Sequence, residues 1–131
     1  MNDPVAFAQA LADATRWQIV RLIFADALCV CELADILKLP QSTLSSHLQV
    51  IRKSGLLVSE RCEKWIYYKV AQAYRPLLTP WFKQFGELPR VLADRKAARL
   101  AQRDDCDCPG PQRFPKLVRR RSTTSAIPSK P

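Results

Sequence analysis

Two cysteines one residue apart, Cys29 and Cys31 in Leu28-Cys29-Val30-Cys31-Glu32-Leu33, and a second such pair, Cys106-Asp107-Cys108, are the residues best suited to chemistry. Thiolates select soft or thiophilic ions. Three of them suit arsenic(III), and four suit zinc or cadmium. Residues two apart on an α-helix point roughly 200° away from each other. Cys29 and Cys31 can therefore close on one ion only if Cys29 lies outside a helix or the helix's first turn distorts. Asp104, Asp105 and Asp107 add negative charge around the second pair and disfavour thiolates there until a cation arrives. The competing readings are buried thiols acting as small core residues at 29 and 31, and incidental cysteines in a solvated tail at 106 and 108.

The chain has five cysteines, an odd number, and no basic region before the apolar residues at its start. In the reducing cytoplasm this pattern favours metal or metalloid ligation over a disulfide framework. No run approaches the ~18 apolar residues of a membrane span. There is one histidine, no nucleophile with a partner base and no phosphate loop, which argues against an enzyme. The net charge is +9, but Arg113, Lys116, Arg119, Arg120, Arg121 and Lys130 lie beyond Pro109 with no acid among them. Removing those six from the 21 basic residues leaves 15 against 12 acids, so the body is only about +3. Net basicity of this kind favours nucleic acid or an acidic surface as partner.

The elements that must position these groups are mostly helical. Pro4 suits the first turn of a short, alanine-rich helix to Ala12 that carries few charges and could pack on another subunit. Asp13 suits the cap of a second helix through Phe24. Val30, Leu33, Ala34 and Leu37 recur at i, i+3, i+4 and i+7, a short amphipathic helix ended by Pro40. Leu44, Leu48 and Ile51 form the next stripe, with Gly55 as its stop. Two short helices joined by a tight turn are the helix-turn-helix pattern. Residues 56–61 and 64–70 read as a β-hairpin, a wing, with a longer or irregular tip because Cys62-Glu63 lacks turn chemistry. Thr79 and Pro80 read as the cap and first position of a helix, and Pro89 as the start of a last helix to about Arg103. The expected architecture is mainly α with a β-hairpin wing over residues 1–103, followed by a cysteine-containing, basic tail at 104–131 that is disordered by composition from about Pro109.

Opposite the Leu44–Leu48–Ile51 stripe lie Ser42, Thr43, Ser46, Gln49 and Lys53, with Ser45 beside them, while Gln41 at the helix start can reach phosphate through its backbone or amide. Small hydroxyls and amides there, in place of the usual Glu and Lys of a solvated face, suit the edges of bases in a major groove. Arg61 and Lys64 flank the wing tip and would meet phosphate or the minor groove. His47 falls nearer the packed edge and reads as structural. Cys62 reads as a wing-tip residue, poorly placed to be a buried ligand. The Arg119–Arg121 run reads as a phosphate-binding or solvated arm without sequence readout.

In order, 12-Ala-Asp-Ala-Thr-Arg-16, the Cys29-Val30-Cys31 box, Gln41 to Leu48, Ser54-Gly55-Leu56-Leu57 and Lys64 to Tyr68 resemble the ArsR/SmtB winged-helix metalloregulators over about residues 5–85. The Cys-Val-Cys box is similar to the branch that senses arsenite and antimonite. The resemblance implies a homodimeric repressor that leaves its operator DNA when As(III) or Sb(III) binds. It also implies a third cysteine on the same helix, where this chain has Ala34. Either a two-thiolate site suffices here or the third ligand comes from elsewhere, with Cys106 and Cys108 as the obvious suppliers and Cys62 as the other. Two other readings keep the DNA-binding module: a thiol redox sensor, and a regulator that binds cadmium, zinc or lead with four cysteines.

Overall fold

The computed structural model describes residues 3–62 and 64–103. In chain order the elements are α1 (Pro4–Leu11), α2 (Ala14–Ala25), β1 (Leu28–Cys29), α3 (Val30–Leu37), α4 (Gln41–Lys53), β2 (Leu57–Cys62), β3 (Trp65–Val70), a 3-10 turn at Gln72–Tyr74, α5 (Arg75–Phe85) and α6 (Arg90–Ala101). Local chemistry accounts for most of these boundaries. Asp3 and Asp13 stand in extended conformation before α1 and α2 and accept the orphan amides of the first turn. Asp13 Oδ2 takes Thr15 N–H at 2.9 Å and Arg16 N–H at 3.1 Å. Lys38 ends α3 in the left-handed region, φ 59°, and Pro40 then leads into α4. Gly55 follows α4 at φ 82°, a conformation glycine adopts without a Cβ penalty.

The core is built from the stripes read in the sequence. Ile19, Leu22 and Ile23 of α2, Leu33 and Ile36 of α3 and Leu44, Leu48 and Ile51 of α4 are buried together with Leu28, Leu56 and Leu78. Each such side chain contributes on the order of 1.5–3 kcal/mol by leaving water. α3 and α4 pack on each other as a helix-turn-helix, and the β2–β3 hairpin follows as a wing.

One strand is new and two expectations are corrected. Helix α3 begins at Val30, leaving Cys29 in a strand. That strand, β1, pairs antiparallel with β3, Leu28 opposite Tyr68 and Cys29 opposite Tyr67, making a three-stranded sheet of order β1-β3-β2. Two residues are too short a strand to show a period, so the sequence carried no sign of it. Pairing in the hairpin runs out to Cys62 opposite Trp65, so only two positions separate the strands. Finally, Pro80 lies inside α5, which starts at Arg75 with Pro76 in its first turn, and Thr79 Oγ1 bonds back to Arg75 O at 2.9 Å. The helix carries the missing amide because Trp81, Phe82 and Phe85 just beyond it pack on Trp17, and Phe82 on Phe24.

Replacing Asp13 by alanine removes the cap and is expected to cost about 1 kcal/mol in urea unfolding at neutral pH. The Arg16 amide foremost, with the charge of His47 nearby, holds the Asp13 carboxyl below its ordinary 3.8. A depressed folded-state pKa means the stabilisation is complete above the unfolded value and lost as pH falls through the folded one. Wild type and Asp13→Ala should therefore converge in acid; a gap that persists at about pH 2 would reject the cap as its source.

Candidate thiol site and nucleic-acid interface

Cys29 is the residue that turns strand β1 into helix α3. Its φ of −91° and ψ of 170° are extended, and it serves as the helix N-cap. Standing outside the helix, its thiol swings beside that of Cys31, and the two sulfurs lie 3.0 Å apart. The helical-wheel conflict is thus resolved by the first of the two routes, and the pair comes together without distortion of the first turn. A capping box completes the arrangement: Glu32 N–H faces the Cys29 thiol, and Glu32 Oε1 accepts Cys29 N–H at 3.1 Å. Hydrogen bonding to Cys31, and then burial, push the Cys29 thiol well above the ordinary thiol range. Cys29 is buried and Cys31 half-buried, and Cys29, Cys31 and Cys62 are all free of disulfides.

Glu32 has no solvent exposure. Its carboxylate is met by Arg103, just past α6, in a two-pronged contact: Nε to Oε2 at 2.6 Å and Nη2 to Oε1 at 2.9 Å. The same guanidinium donates to Ala27 O at 2.8 Å and lies over the Tyr67 ring, 5.6 Å from its centre. A buried carboxylate with a bidentate arginine keeps its charge satisfied where a lone one would cost several kcal/mol.

Cys62 differs from its reading. It ends β2 but is only 3% exposed, in a small cluster with Cys29 and Tyr67 against which Cys31 and Trp65 pack. Strand alternation explains the burial, since the register puts Cys29, Tyr67, Glu60, Trp65 and Cys62 on one face of the sheet and Leu28, Tyr68, Val70 and Leu57 on the core face. That register sets Tyr67 across from Cys29 on one side and Glu60 on the other, with Cys62 across from Trp65, and Cys29, Tyr67 and Cys62 share one buried cluster. Among the described residues no three His, Cys, Asp or Glu side chains are close enough to share an ion. Cys106 and Cys108 lie outside the described residues.

The face expected to meet DNA is accessible. Gln41, Ser42, Thr43, Ser45, Ser46, Gln49 and Lys53 of α4 are exposed, as are Arg61 and Lys64 on the wing. Ser46 Oγ leans back to Ser42 O at 3.3 Å, and the Lys64 ammonium sits 5.0 Å over the Trp65 ring. His47 is half-buried with Nδ1 3.3 Å from Arg16 Nη1, a packing role between α4 and α2. Sequence reasoning passed over Glu32, Arg103 and the exposed Arg52 of α4. Glu32 carried a usable signal, an acid three residues after the cap. Arg103 carried none, because nothing local tells which of several arginines on a helix reaches a buried acid.

A helix-turn-helix with a wing, a polar outer face on its second helix and thiols at the start of its first defines the class of winged-helix DNA-binding regulators. Comparison with known proteins specifies the family. Residues 13–59 match the family described as bacterial regulatory protein, arsR family. The arsenic resistance transcriptional regulator ArsR2 of Pseudomonas putida is 35% identical over 82 residues, 62% of this chain and 68% of that protein. ArsR1 of the same organism is 39% identical over 71 residues, 53% of this chain but only 55% of that protein. Among solved structures, reduced HlyU of Vibrio cholerae superposes with a TM-score of 0.59 at 26% identity, covering 64% of this chain and 90% of that one. The chain belongs to the ArsR/SmtB family, and its relatives include the arsenic-resistance branch. The family is one of transcriptional regulators and not of enzymes. Among the described residues no helix is long and apolar enough to cross a membrane.

Because hydrogen bonding to Cys31 and burial raise the Cys29 pKa, its alkylation by iodoacetamide, followed by mass spectrometry, should be slower at about pH 8 than that of an ordinary exposed thiol. Labelling that rises with a midpoint near ~8.5 would mean the pair does not restrain its proton.

Proposed function

We propose that this protein is a transcriptional repressor that binds operator DNA as a homodimer and is released when As(III) or Sb(III) binds its thiols. The observation that carries this reading is the Cys29–Cys31 pair, preassembled at 3.0 Å with Cys29 resisting ionisation. Arsenous acid brings its own hydroxides. Each thiol that replaces one forms an As–S bond and gives its proton to the departing hydroxide, which leaves as water. No proton has to be lost beforehand and none is released. A divalent cation must instead expel one proton for every thiol it ligates. A site in which ionisation of Cys29 is disfavoured is therefore better matched to arsenic(III) or antimony(III) than to cadmium, zinc or lead. It also disfavours the redox reading, because oxidants attack the thiolate.

Cys29 and Cys31 supply two ligands in this reading, and Cys62, Cys106 or Cys108 the third. Ser42, Thr43, Ser45, Ser46 and Gln49 read base edges in the major groove, while Gln41, Lys53, Arg61 and Lys64 hold phosphate. Two copies would place recognition helices about one turn of DNA apart. The dimer reading is supported by an apolar surface shared by α1 and α5, where Val5, Leu77, Trp81 and Phe85 are exposed around the Phe7–Trp81–Trp17 aromatic cluster.

The thiols connect to both DNA-reading parts. Cys29 is paired with Tyr67 of the wing, and Cys31 lies in the helix that packs on α4. Drawing both sulfurs onto an ion together with a third ligand shifts the end of β1 and the start of α3, and with them the relative setting of wing and recognition helix. Linkage requires that operator weaken metalloid binding by the same factor.

Fluorescence anisotropy with reductant present tests the reading. Arsenite should lower operator affinity, and Cys29→Ser should abolish that response while leaving metalloid-free DNA binding intact. Operator affinity indifferent to arsenite, or a Cys29→Ser protein that still responds, would sink it. Arsenite affinity should also be flat between about pH 6 and 8, whereas cadmium affinity should rise about tenfold per pH unit for each proton released. The reverse pattern would favour the divalent-cation reading.

A further inference from the structure

We propose that Cys62, on the wing, is the third thiol donor to the ion held by Cys29 and Cys31. This rests on the metalloid-binding reading above and assigns its third ligand. The three cysteines of the described residues meet in one place: Cys29 and Cys62 form a buried cluster with Tyr67, and Cys31 packs against it. The larger core built by α2, α3 and α4 contains no cysteine among the described residues. Thiols that served only as small apolar filler would have no reason to gather apart from that core. Cys62 is buried although it closes the hairpin, where its neighbour Arg61, on the other face, is exposed.

The register explains how a wing residue comes to share the site. Cys29 stands opposite Tyr67, Tyr67 stands opposite Glu60, and Cys62 follows Glu60 by two residues, so its side chain returns to the same face of the sheet. Cys31 joins that face from the first turn of α3. In the described conformation no three ligands are close enough to share an ion, so the third sulfur must move in. The part of the sheet that carries it is the part best able to move. β1 pairs with β3 only at Tyr67 and Tyr68, and beyond that point β2 and β3 pair alone, Arg61 with Ile66 and Cys62 with Trp65. Two-stranded ribbons tolerate the widest range of twist, so this end can swing without losing its ladder. The ion therefore completes its own shell by drawing the end of the hairpin toward the start of α3.

The bonding balances as before: a third As–S bond forms, the last As–O bond breaks, and the Cys62 thiol proton leaves with the hydroxide as water. Arg61 and Lys64, the exposed wing residues assigned to phosphate, flank the same end of the hairpin. The swing that brings Cys62 to the ion moves them too. Ion and operator then ask for different settings of one ribbon, which supplies the reciprocal weakening that linkage requires.

X-ray absorption on the full-length, arsenite-loaded protein counts the sulfur neighbours directly. Wild type and Cys106→Ser/Cys108→Ser should show three, and Cys62→Ser and Cys62→Ala two, with oxygen in the remaining place. The alanine variant avoids burying a hydroxyl, and circular dichroism shows whether each variant is folded. Three sulfurs in a folded Cys62 variant, or two in wild type or in the tail variant, would overturn the proposal. So would protection of Cys106 or Cys108 from N-ethylmaleimide by arsenite in wild type, a reading that needs no substitution. Should both Cys62 variants unfold, three sulfurs in the tail variant identify Cys62 by elimination, since the chain has five cysteines. Arsenite should also lower operator affinity by a smaller factor in the folded Cys62 variants than in wild type, and an equal drop would deny the wing its part. Failure of wild type to take up arsenite at all would instead refute the underlying function.

Discussion

A carboxylate with no access to water sits at the centre of this molecule, and the surrounding arrangement follows from the need to satisfy it. Glu32 is placed at the third position of α3, where its side chain can curl back to the N-cap amide. That one contact stops the helix one residue short of Cys29 and leaves Cys29 extended, free to pair with Tyr67 and to turn its thiol toward Cys31. The remaining charge is met by Arg103, 71 residues further along the chain. Neither partner is stable without the other, because desolvating a lone charge costs more than any packing at the site returns. The pair therefore ties the end of α6 to the start of α3 and holds the thiols in register.

Around this centre α6 acts as a brace for the helix-turn-helix. Its cations reach the free carbonyls and acids at the ends of α2 and α3: Lys96 to Leu22 O and Asp26, Arg95 to Ile36 O, Arg99 to Asp35. Cations are well placed at helix C-termini, where the last carbonyls are unpaired and the dipole is negative. A helix rich in arginine and poor in large apolar residues is thereby held by polar contacts as much as by burial. Such contacts can be rearranged without opening the core formed by α2, α3 and α4.

Much of this was legible before folding was considered. The α3 and α4 stripes, the Asp13 cap, the Gly55 stop and the wing all rest on short-range rules, and the structure follows them. Cys29 and Cys31 were legible as chemistry, and their spacing correctly posed a geometric conflict. What escaped were features that depend on partners distant in sequence. Strand β1 exists only because β3 lies beside it. Pro80 stays helical only because aromatic packing from α1 and α2 rewards the turns around it. Cys62 is buried only because the sheet presents a second packed face.

The sequence by itself determined the class of fold and the kind of chemistry, since periodicity, caps and thiol spacing act over a few residues. Only the tertiary structure decided that the first two thiols face each other, that Cys62 is buried in one cluster with Cys29 and Tyr67, and that Arg103 closes on Glu32. The physical reason is that satisfying a buried charge and filling a sheet face are long-range demands. Nothing in a local window says which of 21 cations will answer Glu32.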